Sequence, residues 1–270
     1  MDDLRTRVIT ALIVAPFVVL CFVSYKSLVG LVAAIVLIAG FELLSMELKN
    51  RDTKYFYLLL VTLYPILAGF FFQEDPSLPL VLLFIAGVSF SLLVDKDPVL
   101  THRSVFVFLL TLFYVSYFLS FFLPIYRVFG MANSLLVLSA VWAYDSFAYF
   151  VGMKFGKTRI SPHYSPRKSL EGLLGGLCGV LLYSLIYKVI FQYLFRTTVI
   201  GYKTILFFSA LVAVMDTFGD VFESALKRYY GVKDSGKALP GHGGMLDRID
   251  GLLFVTPTSY ILFKFLEGVM

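Results

Sequence analysis

The sequence predicts an all-α integral membrane protein with about nine transmembrane helices, its N-terminus in the cytoplasm and its C-terminus outside. Three observations carry this. First, hydrophobic residues make up 59% and charged residues 15% of the 270-residue chain, and the mean hydropathy is +0.85. A water-soluble domain averages roughly 45–50% apolar and 25% charged residues, so a single buried core cannot absorb this much apolar surface. Second, Leu, Val, Phe, Ile and Tyr come in long blocks without strict alternation, which indicates membrane helices and not barrel strands. Third, Lys and Arg concentrate in alternate connections between the blocks.

Crossing ~30 Å of hydrocarbon takes a helix of about 20 mostly apolar residues. The runs that qualify are 8–25, 27–47, 55–72, 77–94, 104–124, 132–153, 172–195, 200–222 and 251–267. Arg5 and Arg7 precede the first run as they would in a signal peptide. That run is longer than a usual signal core and no Ala-x-Ala site follows, so it is read as a retained helix. Pro257 and Lys264 interrupt the last run and make it the weakest. The runs divide into an N-terminal region, 1–130, of about five spans and a C-terminal region, 131–270, of about four, with cytoplasmic loops at 154–171 and 223–250. One set of alternate connections holds seventeen of the 23 Lys and Arg, whereas the other holds only Lys26, Arg127, Arg196 and Lys203. The positive-inside rule orients the chain accordingly. It also accounts for the net charge of +5 without nucleic acid as a partner. Cys21 and Cys178 lie inside apolar runs and imply neither a disulfide nor a metal site.

Ionisable residues within spans are costly and so become candidates for function. Asp145 lies in Trp142–Tyr149, and Asp216, Asp220 and Glu223 follow at spacings that put them on one helix face. Like charges on one face repel, and a bound cation would relieve them, as would salt bridges to neighbouring basic residues or protonation. Glu42 and Glu47, near the end of the second span, read as interfacial residues. On the predicted topology, Asp145, Lys168, Glu171, Asp216, Asp220, Asp247 and Asp250 all fall at the cytoplasmic ends of their spans. The expectation is a pocket open to the cytosol at the membrane surface.

The connection Ser224–Asp250 interleaves basic residues with carboxylates and is rich in glycine. Gly241, Gly243 and Gly244 permit close backbone approach to phosphate oxygens. Lys and Arg supply charge for a polyphosphate, and Asp suits a hard cation such as Mg²⁺. Together they fit phosphoryl-type transfer, which depends mostly on positioning and charge stabilisation. Neither a Gly-x-x-x-x-Gly-Lys-Ser/Thr loop nor a His-Glu-x-x-His motif occurs.

The connection matches a signature throughout, at Ser224, Leu226, Lys227, Arg228, Lys233, Asp234, Gly236, Leu239, Pro240, His242, Gly243, Gly244, Met245, Asp247, Arg248, Ile249 and Asp250. Gly219-Asp220, Glu223, Asp145-Ser146 and Ser165–Gly172 match upstream, with Ser169 and Leu170 in place of the commoner Thr and Trp. On these residues the chain resembles the phosphatidate cytidylyltransferases, or CDP-diacylglycerol synthases. The N-terminal ~130 residues match only as generic apolar spans. The resemblance implies a Mg²⁺-dependent reaction of CTP with phosphatidic acid in the cell (inner) membrane. Mn²⁺ is an alternative ion, a second and monovalent cation is a further expectation, and a homodimer is implied. Asp220 and Asp247, then Asp216 and Asp250, are the expected metal ligands. Lys168, Lys227, Arg228, Lys233 and Arg248 are expected to neutralise phosphates, with Gly243 and Gly244 lining them. His242 positions phosphate, and Asp145, Glu171 and Asp234 complete the expected catalytic set. Two other readings compete: a CTP-dependent lipid-alcohol kinase and a cation-coupled transporter. For the transporter, no inverted repeat is visible and the acids lie at one membrane face.

Overall fold

The structure, a computed structural model, describes residues 2–94, 97–238 and 243–268, with the side chains of 2–11 outside the description. Within these residues the apolar runs are helical: α1 (Asp2–Cys21), α2 (Tyr25–Glu47), α3 (Arg51–Ile66), α4 (Ser77–Val94), α5 (Pro98–Leu110), α6 (Phe122–Phe155), α7 (Leu170–Tyr193), α8 (Tyr202–Tyr229) and α9 (Leu246–Glu267). One short antiparallel hairpin, β1 (Arg159–Ser161) and β2 (Ser165–Ser169), precedes α7. Seven helical stretches among the described residues are long and apolar enough to cross a membrane, and the chain is a multi-pass membrane protein. The expected spans 104–124 and 132–153 both fall inside one of the seven, Pro98–Phe155, of 58 residues. At about 1.5 Å per residue that stretch is more than twice as long as one crossing requires. It is interrupted by a π-helical segment, Thr111–Tyr117, and by Gly130, whose φ of 83° breaks the helix. Of the first expected span, Leu12–Cys21 forms a shorter apolar helix.

The chain folds into two units. The first comprises Met1–Leu123 and Asp234–Arg248, the second Pro124–Lys233 and Ile249–Met270. In the first unit, local chemistry sets the helix ends. Asn50 and Asp97 accept hydrogen bonds from the N–H groups of Asp52 and Val99, capping α3 and α5, and Pro98 opens α5 where its missing N–H costs nothing. Pro65 inside α3 has no N–H to give the Val61 carbonyl one turn back, and the Ser116 hydroxyl donates to that carbonyl at 2.6 Å instead. The core is aromatic: Tyr57 stacks on Phe108 at 4.5 Å, and the absence of a side chain at Gly87 makes room for the Phe108 ring.

In the second unit, α6 and α7 meet along a seam of small residues. A side chain at Gly176 would strike Tyr144, one at Gly179 Phe147, and one at Gly175 Val151. Small residues of this kind let membrane helices approach closely. The far end of the unit is tied by polar groups, of which Lys188 and Asn133 are buried. The Lys188 ammonium donates to the carbonyls of Val199 and Ile200 at 2.8 and 2.7 Å, and Asn133 accepts from the Ile200 N–H at 3.0 Å. Glu267 accepts from the Gly201 N–H at 2.8 Å and from the Thr204 hydroxyl. A lysine within an apolar helix is therefore satisfied by main-chain carbonyls. Gly176→Val is expected to overpack the α6–α7 seam and to destabilise the protein by about 1–3 kcal/mol. A lower thermal midpoint in detergent, relative to the unsubstituted chain, checks it.

Candidate active site

The second unit gathers the predicted acids. Asp145 on α6, Asp216 and Asp220 on α8 and Asp250 on α9 lie close enough for their charges to interact, and Asp145 and Asp216 are within hydrogen-bonding reach of each other. Asp216 is buried, Asp220 and Asp250 are half-buried, and Asp145 is exposed. Two glycines allow this crowding. A side chain at Gly251 would collide with the Asp216 carboxylate, and one at Gly219 with the Asp250 carbonyl. The helix that carries Asp216 and Asp220 thus runs against the backbone of α9 at this level.

Lys168 faces these acids. Its Nζ lies 3.0 Å from Asp220 Oδ2, and the Ser224 hydroxyl, one turn further along α8, donates to Asp220 Oδ1 at 3.2 Å. The β-hairpin delivers Lys168 to this point. Glu171, in the first turn of α7, accepts from the N–H groups of Lys157 and Thr158 at 3.0 and 3.1 Å and from the Thr158 hydroxyl at 2.9 Å. Ser169 caps α7 by accepting from the Gly172 N–H at 3.1 Å, packed where side chains at Gly156 or Gly172 would crowd it. Burial disfavours the Lys168 charge, but Asp220, and then Asp216 and Asp250, outweigh it and raise the ammonium above its ordinary value of 10.5.

The same unit holds the first part of the glycine-rich connection. Lys227 forms an ion pair with the buried carboxylate of Glu223 one turn away. Arg228 is exposed and donates to the Val232 carbonyl at 3.4 Å. The α8 helix ends in a Schellman turn, in which the N–H groups of Gly231 and Val232 reach the carbonyls of Arg228 and Lys227, with Gly231 at φ 69°. Lys233 is exposed.

The rest of the connection belongs to the first unit. Asp234 and Arg248 are exposed. Asp247 Oδ2 accepts from the Ser235 N–H at 3.0 Å, the Ser235 hydroxyl at 2.8 Å and the Gly244 N–H at 2.9 Å. Gly243 has φ 86°, a backbone conformation that favours glycine. His242, with Leu239, Pro240 and Gly241, lies outside the described residues. Glu42 corrects the interfacial reading: it is 7% exposed and accepts from the Met245 and Leu246 N–H groups at 3.0 and 2.9 Å. A single glutamate near the end of an apolar run offers no signal for such a contact. Tyr144 is a further buried polar group here. Its hydroxyl meets Thr217 Oγ1 at 2.6 Å beside Asp145 and Asp216, and an aromatic residue in an apolar run looks like ordinary packing.

The cytidylyltransferase family model matches residues 5–266, almost the whole chain. The chain belongs to the cytidylyltransferase family. It is 64% identical over 270 residues to the phosphatidate cytidylyltransferase of Thermotoga maritima, covering 100% of both chains. It is 33% identical over 269 residues to the enzyme of that name from Bacillus subtilis, covering 97% of this chain and 98% of the other. With that of Helicobacter pylori it shares 42% identity over 143 residues, 53% of this chain and 51% of the other. As a member of this family the chain is a nucleotidyltransferase.

The acids of the second unit can be tested as a cation site on their own chemistry. Four carboxylates stand near the Lys168 ammonium, and all offer hard oxygen donors. Among the described residues no three His, Cys, Asp or Glu side chains already converge as a ligand set. Mg²⁺ commonly takes only one or two carboxylates and fills its remaining positions with water and phosphate oxygens, so these residues fit it. Gly251→Ala places a methyl group on the Asp216 carboxylate and is expected to lower cytidylyl transfer about tenfold or more, read as kcat on protein that still elutes as a single folded species. The raised Lys168 stabilises the fold fully below its unfolded value and loses that contribution only as pH climbs through the higher folded value. The thermal midpoint of Lys168→Met is therefore expected to lie below that of the unsubstituted chain at pH 7, measured in detergent.

Proposed function

We propose that this chain is a phosphatidate cytidylyltransferase, which converts CTP and phosphatidic acid into CDP-diacylglycerol and pyrophosphate. The observation that carries the reading is the 64% identity, end to end, with the Thermotoga maritima enzyme of that name. The acid cluster with its facing lysine supports it independently, because it is the kind of site in which a polyphosphate and a cation meet.

An ionised oxygen of the phosphatidate attacks the α-phosphorus of CTP in line. The new P–O bond forms as the bond from the α-phosphorus to its bridging oxygen breaks, and pyrophosphate leaves with that electron pair. The attacking oxygen already carries charge, so no residue has to remove a proton from it. The work of the protein is positioning and charge compensation. Lys168, held by the hairpin and Asp220, and Lys227, Arg228 and Lys233 on and beyond α8 supply positive charge in the second unit. Arg248 supplies it in the first, where Gly243 would offer a backbone N–H and Gly244, whose own N–H donates to Asp247 Oδ2, would permit close approach. Asp145 and Glu171 keep the surrounding elements in register, Glu171 by holding the hairpin that carries Lys168. Asp234 and His242 complete the set, His242 by positioning phosphate. Asp216, Asp220 and Asp250 would hold Mg²⁺, or Mn²⁺ in its place, and one of these acids would serve a second, monovalent cation. Within the first unit Asp247 is proposed as a metal ligand, through a carboxylate whose Oδ2 already organises its loop. When bound, the divalent ion would polarise the α-phosphate and offset the charge on the leaving pyrophosphate.

The nine apolar runs would cross the cell (inner) membrane nine times, with the N-terminus and the site on the cytoplasmic side and the C-terminus outside. The skew of Lys and Arg towards one set of connections supports this orientation. So does the chemistry, since a nucleotide comes from water and phosphatidate from the leaflet. The family resemblance also points to a homodimer.

Purified protein supplied with phosphatidate, Mg²⁺ and CTP labelled at either the α- or the γ-phosphate tests the reaction. Label from the α position is expected in the lipid, and it should vanish on chelation of the metal. Label from the γ position alone would identify a lipid kinase, and no label from either would end the proposal. Asp220→Asn is expected to lower turnover about a hundredfold or more while the protein remains folded.

A further inference from the structure

Glu42 stands on α2, a helix otherwise apolar around it, and its carboxylate is buried. It reaches a segment about two hundred positions away in sequence. Oε1 accepts from the Met245 N–H at 3.0 Å, and Oε2 from the Leu246 N–H at 2.9 Å, with the Ser235 hydroxyl 3.2 Å away. That hydroxyl has one proton, and it stands nearer to Asp247 Oδ2, at 2.8 Å. Side chains at Gly236 or Gly244 would collide with the Glu42 carboxylate, so two glycines of the connection make room for it.

The first N–H groups of a helix have no partner within the helix, and a short local Ser, Thr, Asp or Asn ordinarily supplies one. Here α9 takes its acceptor from a different helix. A carboxylate at this end also meets the positive pole of the helix dipole. The consequence is positional. A local cap would let the start of α9 move with its own loop, whereas Glu42 ties it to α2. Asp247 and Arg248 are the next two residues, and the Asp247 carboxylate shares Ser235 with Glu42.

We propose that Glu42 is a positioning residue for cytidylyl transfer, holding Asp247 and Arg248 in place through the N-terminus of α9. This rests on the proposed reaction. Glu42→Gln preserves shape and one acceptor, but turns a donor towards one of the two backbone N–H groups. With the full chain in detergent and phosphatidate, kcat is expected to fall about tenfold, with KM for phosphatidate changed by less than about twofold. The Mg²⁺ concentration giving half-maximal rate is expected to rise. Glu47→Gln, on the same helix, should keep the unsubstituted kcat. A Glu42→Gln protein that loses only thermal stability, with unchanged kcat and Mg²⁺ dependence, would show that Glu42 is a structural strut and overturn the proposal. Should that variant fail to fold, Glu42→Asp keeps the charge but draws the carboxylate back from the Met245 and Leu246 N–H groups. A severalfold fall in its kcat supports the proposal, and an unchanged kcat overturns it. An unsubstituted chain that transfers no α-label would end both this proposal and the reaction it rests on. Activity in the unsubstituted chain with a normal Glu42→Gln would end this one alone.

Discussion

Carboxylates set among apolar helices must find compensation, and the rest of this protein is arranged around that requirement. In the second unit Asp216 is buried, and Asp145, Asp220 and Asp250 crowd it from three helices. Lys168 reaches Asp220 from a hairpin whose position is set by Glu171 and Ser169. The hairpin is thus more than a connection between α6 and α7: it carries the charge that the acids need. Elsewhere the same requirement is met locally, as where Glu223 pairs with Lys227 and where main-chain carbonyls receive Lys188.

Close backbone approach is the second half of this arrangement. The acids can gather only because Gly219 and Gly251 have no side chains where α8 runs against α9. The seam of Gly172, Gly175, Gly176 and Gly179 brings α7 against α6 in the same way. Glycine weakens an isolated helix, but here the closeness it allows puts polar groups within reach of partners that lipid cannot provide. In the first unit Gly236 and Gly244 play the same part for Glu42.

These features suit a reaction whose catalysis is mostly geometric. Transfer of a nucleotide to a lipid phosphate needs a nucleophile that is already ionised, charge to meet a polyphosphate, and a place where a water-soluble and a membrane-bound substrate can meet. A rigid acidic cluster with a tethered lysine serves such chemistry better than a mobile one, because small displacements in these sites are expensive in rate.

Much of this was legible in the sequence. Long apolar blocks can only be membrane helices, so their composition alone determined the class of fold. The spacing of Asp216, Asp220 and Glu223 placed them on one face, because 3.6 residues make a turn of any α-helix. The signature over Ser224–Asp250 identified the family. What the linear pattern could not reveal was which elements would meet. That Asp234–Arg248 folds with the N-terminal helices, that Glu42 caps α9, and that the Tyr144 hydroxyl meets Thr217 all depend on contacts between residues far apart in the chain. Helical periodicity encodes neighbours within a few turns and nothing beyond them. The connection Ser224–Asp250 is one motif in sequence, yet its residues are divided between two folded units, because tertiary packing follows the partners available to each buried polar group and not the order of the chain.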